Sequence, residues 1–426
     1  MKEISILFSL ALLTINACAQ KNKAIDITEL IRIETTLASD EMRGRAAGTP
    51  DIDKAASFIA DEFKKSGLQP IEGKDFLQRF VMLRPKTTTL KAEIEDKEID
   101  IKNVVIVSTK AELKLNEKSG FETEYIRKGE NLSALARKFA TSGKNLIVLV
   151  DTSFAVHFQR LSFIGYQIFK RENDVIFLLG NKLPAQFTIK AEQSLFSVNY
   201  SNVVGIIPGK SRKDEFVIFS AHYDHLGVAK QPKNGDSIFN GANDNAAGTT
   251  AVILLADHFK KINNNERTLV FVAFTAEEAG GYGARYFSER MDPAKVMAMF
   301  NIEMIGTESK WGRNSAFITG YDKSDMGKIM QNNLQGTSFT FHPDPYTKEN
   351  LFYRSDNATL ARLGVPAHTI STAKMEGEPN YHQLSDHVST LDLENMAEII
   401  KAIAISSSSI ISAKDTPTRV KPENLN

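Results

Sequence analysis

The sequence predicts an α/β fold: a three-layer α/β/α sandwich on a mixed, mostly parallel sheet, with a smaller inserted α+β domain. Two observations carry this. From Ser201 to Ile405 strand-like apolar runs alternate with amphipathic helical stretches, a pattern that requires a sheet covered on both faces. The His, Asp and Glu clusters follow the ends of those runs or sit in loops, and in open α/β sheets sites assemble at that edge. The block between Arg84 and about Tyr200 lacks such clusters and reads as an insertion.

The elements follow in chain order. Lys2 precedes an apolar run from Ile4 to Ile15, too short to span a bilayer, which takes about 20 residues. It reads as a secretory signal over residues 1–17. Ile15-Asn16-Ala17-Cys18 resembles the cleavage box of bacterial lipoproteins, and Cys18 is the one cysteine of the chain. The expectation is an exported lipoprotein of the cell envelope, anchored to the membrane through acylated Cys18 with residues 18–26 as tether. With no second cysteine, no intramolecular disulfide can form. Ile27–Leu37 and Lys54–Ser66 read as amphipathic helices, the second closed by Gly67. Phe76–Leu83 reads as a strand, which gives a first domain part over 27–84.

Residues 85–200 contain the alternating runs NVVIVS and NLIVLV and the helix-like LSALARKFATSG. The expectation is a lid, or a packing appendage. Beyond it, SNVVGIIPG and EFVIFSAHYD read as paired strands and GTTAVILLADHFKK as a helix, opening a core over 201–413. The Ser-, Lys- and Pro-rich end, residues 414–426, reads as a flexible tail.

Composition bounds the function. The 426 residues are 42% hydrophobic and 24% charged, with 52 Lys+Arg against 52 Asp+Glu. That balance gives no basic excess for nucleic acid or an anionic membrane surface.

The informative residues lie in four segments. In AHYDHLG, His222 and Asp224 are two apart, so on an extended backbone both side chains leave on the same side. That suits a ligand His and a supporting carboxylate. His225 is adjacent and has no such periodicity. GANDNAAG supplies Asp244. TLVFVAFTAEEAGG breaks after a strand-like run into Glu277 and Glu278, and adjacent carboxylates can divide labour between binding a metal and serving as general base. KVMAMFNIEMIG ends an apolar run at Glu303, and NYHQLSDH offers Tyr381 and His382. Singly, each is as well explained as an ordinary surface or packed residue. Their occurrence in order, each beside an apolar run or in a loop, makes the case.

This order of motifs, with LASDEMRGRAAGTP near the start, resembles the zinc exopeptidases related to aminopeptidase Y and glutamate carboxypeptidase, co-catalytic di-zinc metallopeptidases. The resemblance covers residues 25–80 and 201–413. It implies a phosphorylase/hydrolase-like zinc peptidase core and two zinc ions, one held by His222, Asp244 and Glu303, the other by Asp244, Glu278 and His382, with Asp244 bridging. It implies Glu277 as general base, Asp224 as the partner of His222, Tyr381 as hydrogen-bond donor to an oxyanion, and Arg354 as a substrate-pocket residue. Two ions about 3.5–4 Å apart can share a water and polarise a carbonyl. The His/Asp/Glu set suits zinc, and manganese or cobalt can occupy the same ligands. Where the family usually has aspartate, this chain has Glu303, whose longer side chain must bend or bind differently.

The implied activity is exopeptidase hydrolysis of peptide substrates, foremost as an aminopeptidase. Two alternatives are a glutaminyl cyclase with one zinc and a non-catalytic peptide-binding ectodomain. The inserted block also loosely resembles a protease-associated domain.

Overall fold

The structure is a computed structural model that describes residues 25–95, 97–233 and 235–421. The signal segment and Cys18 lie outside the described residues. Among those described, no helix is long and apolar enough to cross a membrane.

Helix α1 (Ile27–Leu37) starts where Asp26 accepts the Thr28 N–H and buries Leu30, Ile33 and Leu37. Helix α2 spans Pro50–Lys65, beginning four residues before the expected Lys54. Proline is suited to the first helical position, because its missing N–H would have no partner there. The main sheet contains β1 (Leu77–Ile94), β2 (Phe187–Ile207), β3 (Arg212–His222), β4 (Arg267–Phe274), β5 (Val296–Glu303), β6 (Ser315–Ile318), β7 (Thr340–Pro343) and β8 (Ala367–Ser371). In space they run β7-β6-β8-β5-β3-β4-β2-β1. β3 pairs parallel with both β4 and β5, and β5 with β8. β2 pairs antiparallel with β4 and β1. The sheet is therefore mixed, with its parallel centre where the helical crossovers lie.

Alternation along the central strands builds the layers. Val217, Phe219 and Ala221 of β3 face one side, where they meet α1, α2, α3 (Ala247–Ile262) and α4 (Leu393–Ser406). Ile218 faces the other side with Val270, Val272 and Met299, covered by Ala284, Phe287 and Leu360 from short helices. Phe219 stacks on Phe271 and Phe300 of the neighbouring strands at 5.5 and 5.0 Å. Such offset aromatic contacts fix the strand register beyond plain burial.

β1 and β2 stay paired from Leu77↔Val203 out to Ile94↔Phe187. The expected boundaries at 84/85 and 200/201 thus fall inside continuous strands, because the ladder does not stop where the motifs do. At its far end the ribbon packs on a second, four-stranded sheet of Val104–Val107, Val175–Leu179, Leu146–Val150 and Glu122–Ile126. Ile176 and Leu178 face the ribbon with Ala92, Ile189 and Ala191. Val175 and Phe177 face Ala136, Phe158 and Leu161 on the opposite side.

The expected flexible tail is corrected over its described part. Arg267, at the start of β4, is fully buried and donates to the carbonyls of Ile410 and Asp415 at 2.7 and 2.8 Å. Arg419 donates to the Val296 carbonyl at 2.7 Å, and Val420 is only 3% exposed. Polar composition had suggested a solvated segment, whereas buried guanidinium and backbone donors require the acceptors it supplies.

Candidate metal centre

Three strand ends and two loops meet at the carboxyl edge of the sheet. His222 is the last residue of β3, and Glu303 is the last of β5. Glu277 and Glu278 follow β4 after a turn in which Ala276 has φ 59°. Asp244 lies in a tight turn before α3. That turn starts at Gly241, where φ is 56° and an added Cβ would lie 2.3 Å from the Asp244 carbonyl oxygen and 2.5 Å from the His225 ring. Only glycine fits there. The Asp244–Asn245 peptide is cis. Asp386 accepts the N–H groups of Asn243 and Asp244 at 2.9 and 3.0 Å, which fixes the turn from outside.

His222 Nε2 is 3.0 Å from Glu303 Oε1 and 3.3 Å from Asp244 Oδ1. On its other side, Asp244 Oδ2 is 3.2 Å from His382 Nε2. His382 Nε2 is 3.1 Å from Glu278 Oε1. The residues expected to ligate thus converge, with Asp244 facing both groups. Despite its extra methylene, Glu303 reaches His222 with Oε1, while its Oε2 accepts the Ser355 hydroxyl at 2.8 Å.

His225 also belongs to this cluster and was not read as a ligand. Its Nδ1 is 3.0 Å from Glu278 Oε1 and 4.0 Å from Asp244 Oδ2, its ring is buried, and Nε2 has no hydrogen-bond partner among the described residues. The sequence signal was its place beside His222, but neighbouring side chains on a strand point to opposite faces. The chain leaves the extended conformation after His222, and that turn brings His225 round.

Asp224 meets His222 chiefly through its backbone. His222 Nδ1 lies 3.1 Å from the Asp224 backbone carbonyl, a contact that suits Nδ1–H and leaves Nε2 free to ligate. The Asp224 carboxylate lies 3.8 Å from that ring nitrogen. Instead it accepts the N–H groups of Glu277 and Glu278 at 3.0 and 3.2 Å.

Arg45, from the RGR motif, braces the assembly. Its buried guanidinium donates to the carbonyls of Tyr223 (2.8 Å), Gly241 (2.9 Å), Leu37 and Asn240 (both 2.6 Å). It ties the His222 and Asp244 loops to α1. The local spacing around Arg45 carries no signal for this bracing role.

Two groups of donors could hold a metal ion: His222, Asp244 and Glu303, and His225, Asp244 and Glu278, each with ligand atoms within 4.8 Å of one another. Imidazole nitrogen and carboxylate oxygen are donors zinc accepts. The electrostatics fit a cation as well. Burial pushes the Glu277 carboxyl well above the usual range, with Asp356, Glu303 and Asp224 adding repulsion. Burial alone would raise Asp244, but hydrogen bonds with His222 and His382 hold it well below the carboxylate range. Burial likewise lifts Asp356 to about 8, and neither of its carboxyl oxygens has a partner among the described residues. Buried carboxylates gathered in this way are stabilised by a divalent ion, which then sets the local charge balance.

The centre opens into a cavity of about 290 Å³ lined by Met304, Phe317, Leu351, Met375 and Glu277. Tyr381 stacks on His382 at 3.9 Å, and burial pushes its hydroxyl up to about 12. Arg354 lines the cavity and is half exposed, 3.6 Å from Glu349.

The family model for Peptidase family M28 matches residues 202–406. "Aminopeptidase YwaD" of Bacillus subtilis is 25% identical over 223 residues, 47% of this chain and 43% of that protein. A "Probable zinc metalloprotease" of Pyrenophora teres f. teres is 27% identical over 261 residues, 54% of this chain and 52% of its own length. The chain spans about half the length of the curated relatives it matches. Among solved structures, an aminopeptidase from Aneurinibacillus sp. strain AM-1 superposes with a TM-score of 0.54 at 16% identity, covering 96% of this chain and 98% of its own. A zinc aminopeptidase from Bacillus subtilis also gives 0.54 at 16% identity, over 94% and 99% of the two chains. Both share the mixed sheet flanked by helices.

Proposed function

Because residues 202–406 match the model for peptidase family M28, we propose that the chain is a zinc-dependent aminopeptidase acting on peptides with a free amino terminus. The observation that supports this most is the pair of donor groups sharing Asp244 at the mouth of a cavity that also contains Glu277.

In this reading His222, Asp244 and Glu303 would hold one zinc ion, and Asp244, Glu278 and His382, with His225 beside them, would hold a second. When bound, zinc supplies a lowered water pKa and a polarised scissile carbonyl. Glu277 takes the proton of the attacking water and returns it to the departing amine, a role worth roughly 10²- to 10⁴-fold in rate. Asp224 aims Glu277 by holding its backbone N–H. Tyr381, protonated far above neutral pH, donates a hydrogen bond to the developing oxyanion. The cavity of about 290 Å³ is near the lower end of ligand sites, and Met304, Phe317, Leu351 and Met375 in its wall suit an apolar side chain. The surrounding carboxylates attract an α-ammonium group, which favours cleavage from the amino end over the carboxyl end.

The test compares peptides with free and acetylated amino termini, with a chelator control and Glu277→Gln. Chelator-sensitive release of residues only from free termini, lost in the variant, is the expected result. No release from either set by the metal-loaded protein would sink the reading and move cyclisation or non-catalytic peptide binding forward. Acylation at Cys18 is part of the proposal, and mass spectrometry of the mature amino terminus tests it.

A further inference from the structure

A cleft of about 1070 Å³ lies between the second sheet's helical face and the segment Ala279–Glu289 of the core. Its walls carry Arg137, Arg160, Lys170, Arg171 and Arg285 against a single acid, Glu289. That acid is already engaged by Arg285 at 3.0 Å. Among the described residues, Arg137, Arg160, Lys170 and Arg171 form no ion pair with a carboxylate. In a chain whose Lys+Arg and Asp+Glu counts are both 52, gathering five cations in one cleft is a local segregation of charge.

Arg171 shows the gathering most clearly. It is partly buried, its Nε donates to the Asn173 carbonyl at 2.8 Å, and burial and the nearby Arg285 charge lower its pKa, while Asp174 opposes them. Cations held together without partners repel one another, and an anion entering a low-dielectric cleft relieves that repulsion. The cleft also presents Phe163, which is 78% exposed, together with Phe169 and Tyr282, apolar surfaces that suit side chains and backbone of a peptide.

Position connects the cleft to the candidate catalytic centre. Ala279 and Gly280 line it and directly follow Glu277 and Glu278, which line the metal cavity; consecutive Cα atoms are about 3.8 Å apart. We infer that this cleft is an extended subsite for the downstream part of a peptide, selecting acidic side chains or a free carboxyl terminus. The inference rests on the aminopeptidase reading for the peptide's direction, but the charge-based binding it requires does not depend on turnover.

Two measurements test it. The first compares kcat/KM for peptides with one common amino-terminal residue and either Glu or Lys at the third to fifth positions. The expected result is at least about a fivefold preference for Glu at low salt, shrinking towards unity at high ionic strength as screening grows. In the double variant Arg137→Gln/Arg160→Gln, whose side chains are exposed and whose folding circular dichroism verifies, the ratio falls towards one. The second measures fluorescence anisotropy of an N-acetylated, labelled acidic peptide, with binding expected to weaken at least about threefold in the variant. Acidic-peptide binding without cleavage of any peptide would remove the aminopeptidase reading and leave the subsite standing. Equal handling of Glu and Lys peptides with binding unchanged by the variant overturns the subsite, as does displacement of the bound peptide by a short RNA or anionic vesicles at lower concentration than by unlabelled peptide.

Discussion

The Asp224 carboxylate accepts the backbone N–H of Glu277 at 3.0 Å. Its second oxygen takes the next N–H, that of Glu278, at 3.2 Å. The fully buried Asp224 therefore sets the direction in which two adjacent carboxylates leave the turn. Asp224→Ala leaves two amides without acceptors, at a cost of about 1–3 kcal/mol each where they are buried. The expected outcome is a fall in kcat of at least about 100-fold with bound zinc, measured by plasma emission, reduced less than activity. Asp224→Asn, which keeps one acceptor oxygen, should fall in between.

His225 makes a separate prediction. With Nδ1 3.0 Å from Glu278 Oε1, it would, in the proposed two-ion reading, either ligate the second ion or orient Glu278. Both roles predict that His225→Ala weakens one of two zinc-binding events by about 10- to 100-fold. Calorimetric titration of metal-free protein measures this directly. Two unchanged binding events would reduce His225 to a packing role.

Glu34 predicts a pH-dependent stability. Its carboxyl is buried, accepts the Thr250 hydroxyl at 2.7 Å with its other oxygen unpartnered among the described residues, and is pushed by burial from 4.5 up to about 8. The folded state then keeps a proton that the unfolded chain has lost, so stability present below pH 4.5 is lost as pH rises towards 8, by up to about 1.4 kcal/mol per unit. Glu34→Gln removes that dependence. The melting temperature of the variant relative to the parent should rise steadily between pH 5 and 8. A flat difference would mean that Glu34 is ionised in the fold.

Removing residues 414–426 should destabilise the core. Arg267 would lose the Asp415 carbonyl and the Thr416 hydroxyl, and the face under Val420 would open. Hydrogen bonds to charged groups and a buried valine together suggest a loss on the order of 3 kcal/mol, read as a lower urea midpoint.

Much of this architecture was legible because period and chemistry coincide. The apolar spacing of Ile27–Leu37 marks α1 residue for residue, and His222 and Glu303 close strands whose apolar runs are plain in the sequence. The parts that were not legible depend on how the backbone turns. The direction of His225 is set by the turn after His222, and the Asp224 carboxylate finds amides 53 and 54 residues away. Arg45 satisfies carbonyls on loops up to 196 residues distant, a relationship that spacing cannot encode. The same is true of the tail, whose acceptors matter only because Arg267 is buried beneath them.

The ribbon of β1 and β2 has a practical consequence for anyone trimming the protein. Since β2, which pairs with β4 at the root of the site, and its partner β1 also form the wall of the outer sheet's core, the outer lobe has no hinge of loose chain among the described residues at which to cut. Shortening the ribbon at the irregularity between Glu192 and Gln193 would strip the cover from Ile176 and Leu178 and leave two raw strand ends ready to pair with other molecules. A minimal catalytic fragment therefore requires a redesigned hairpin closing near Leu83 and Ser197, which face each other across the ladder.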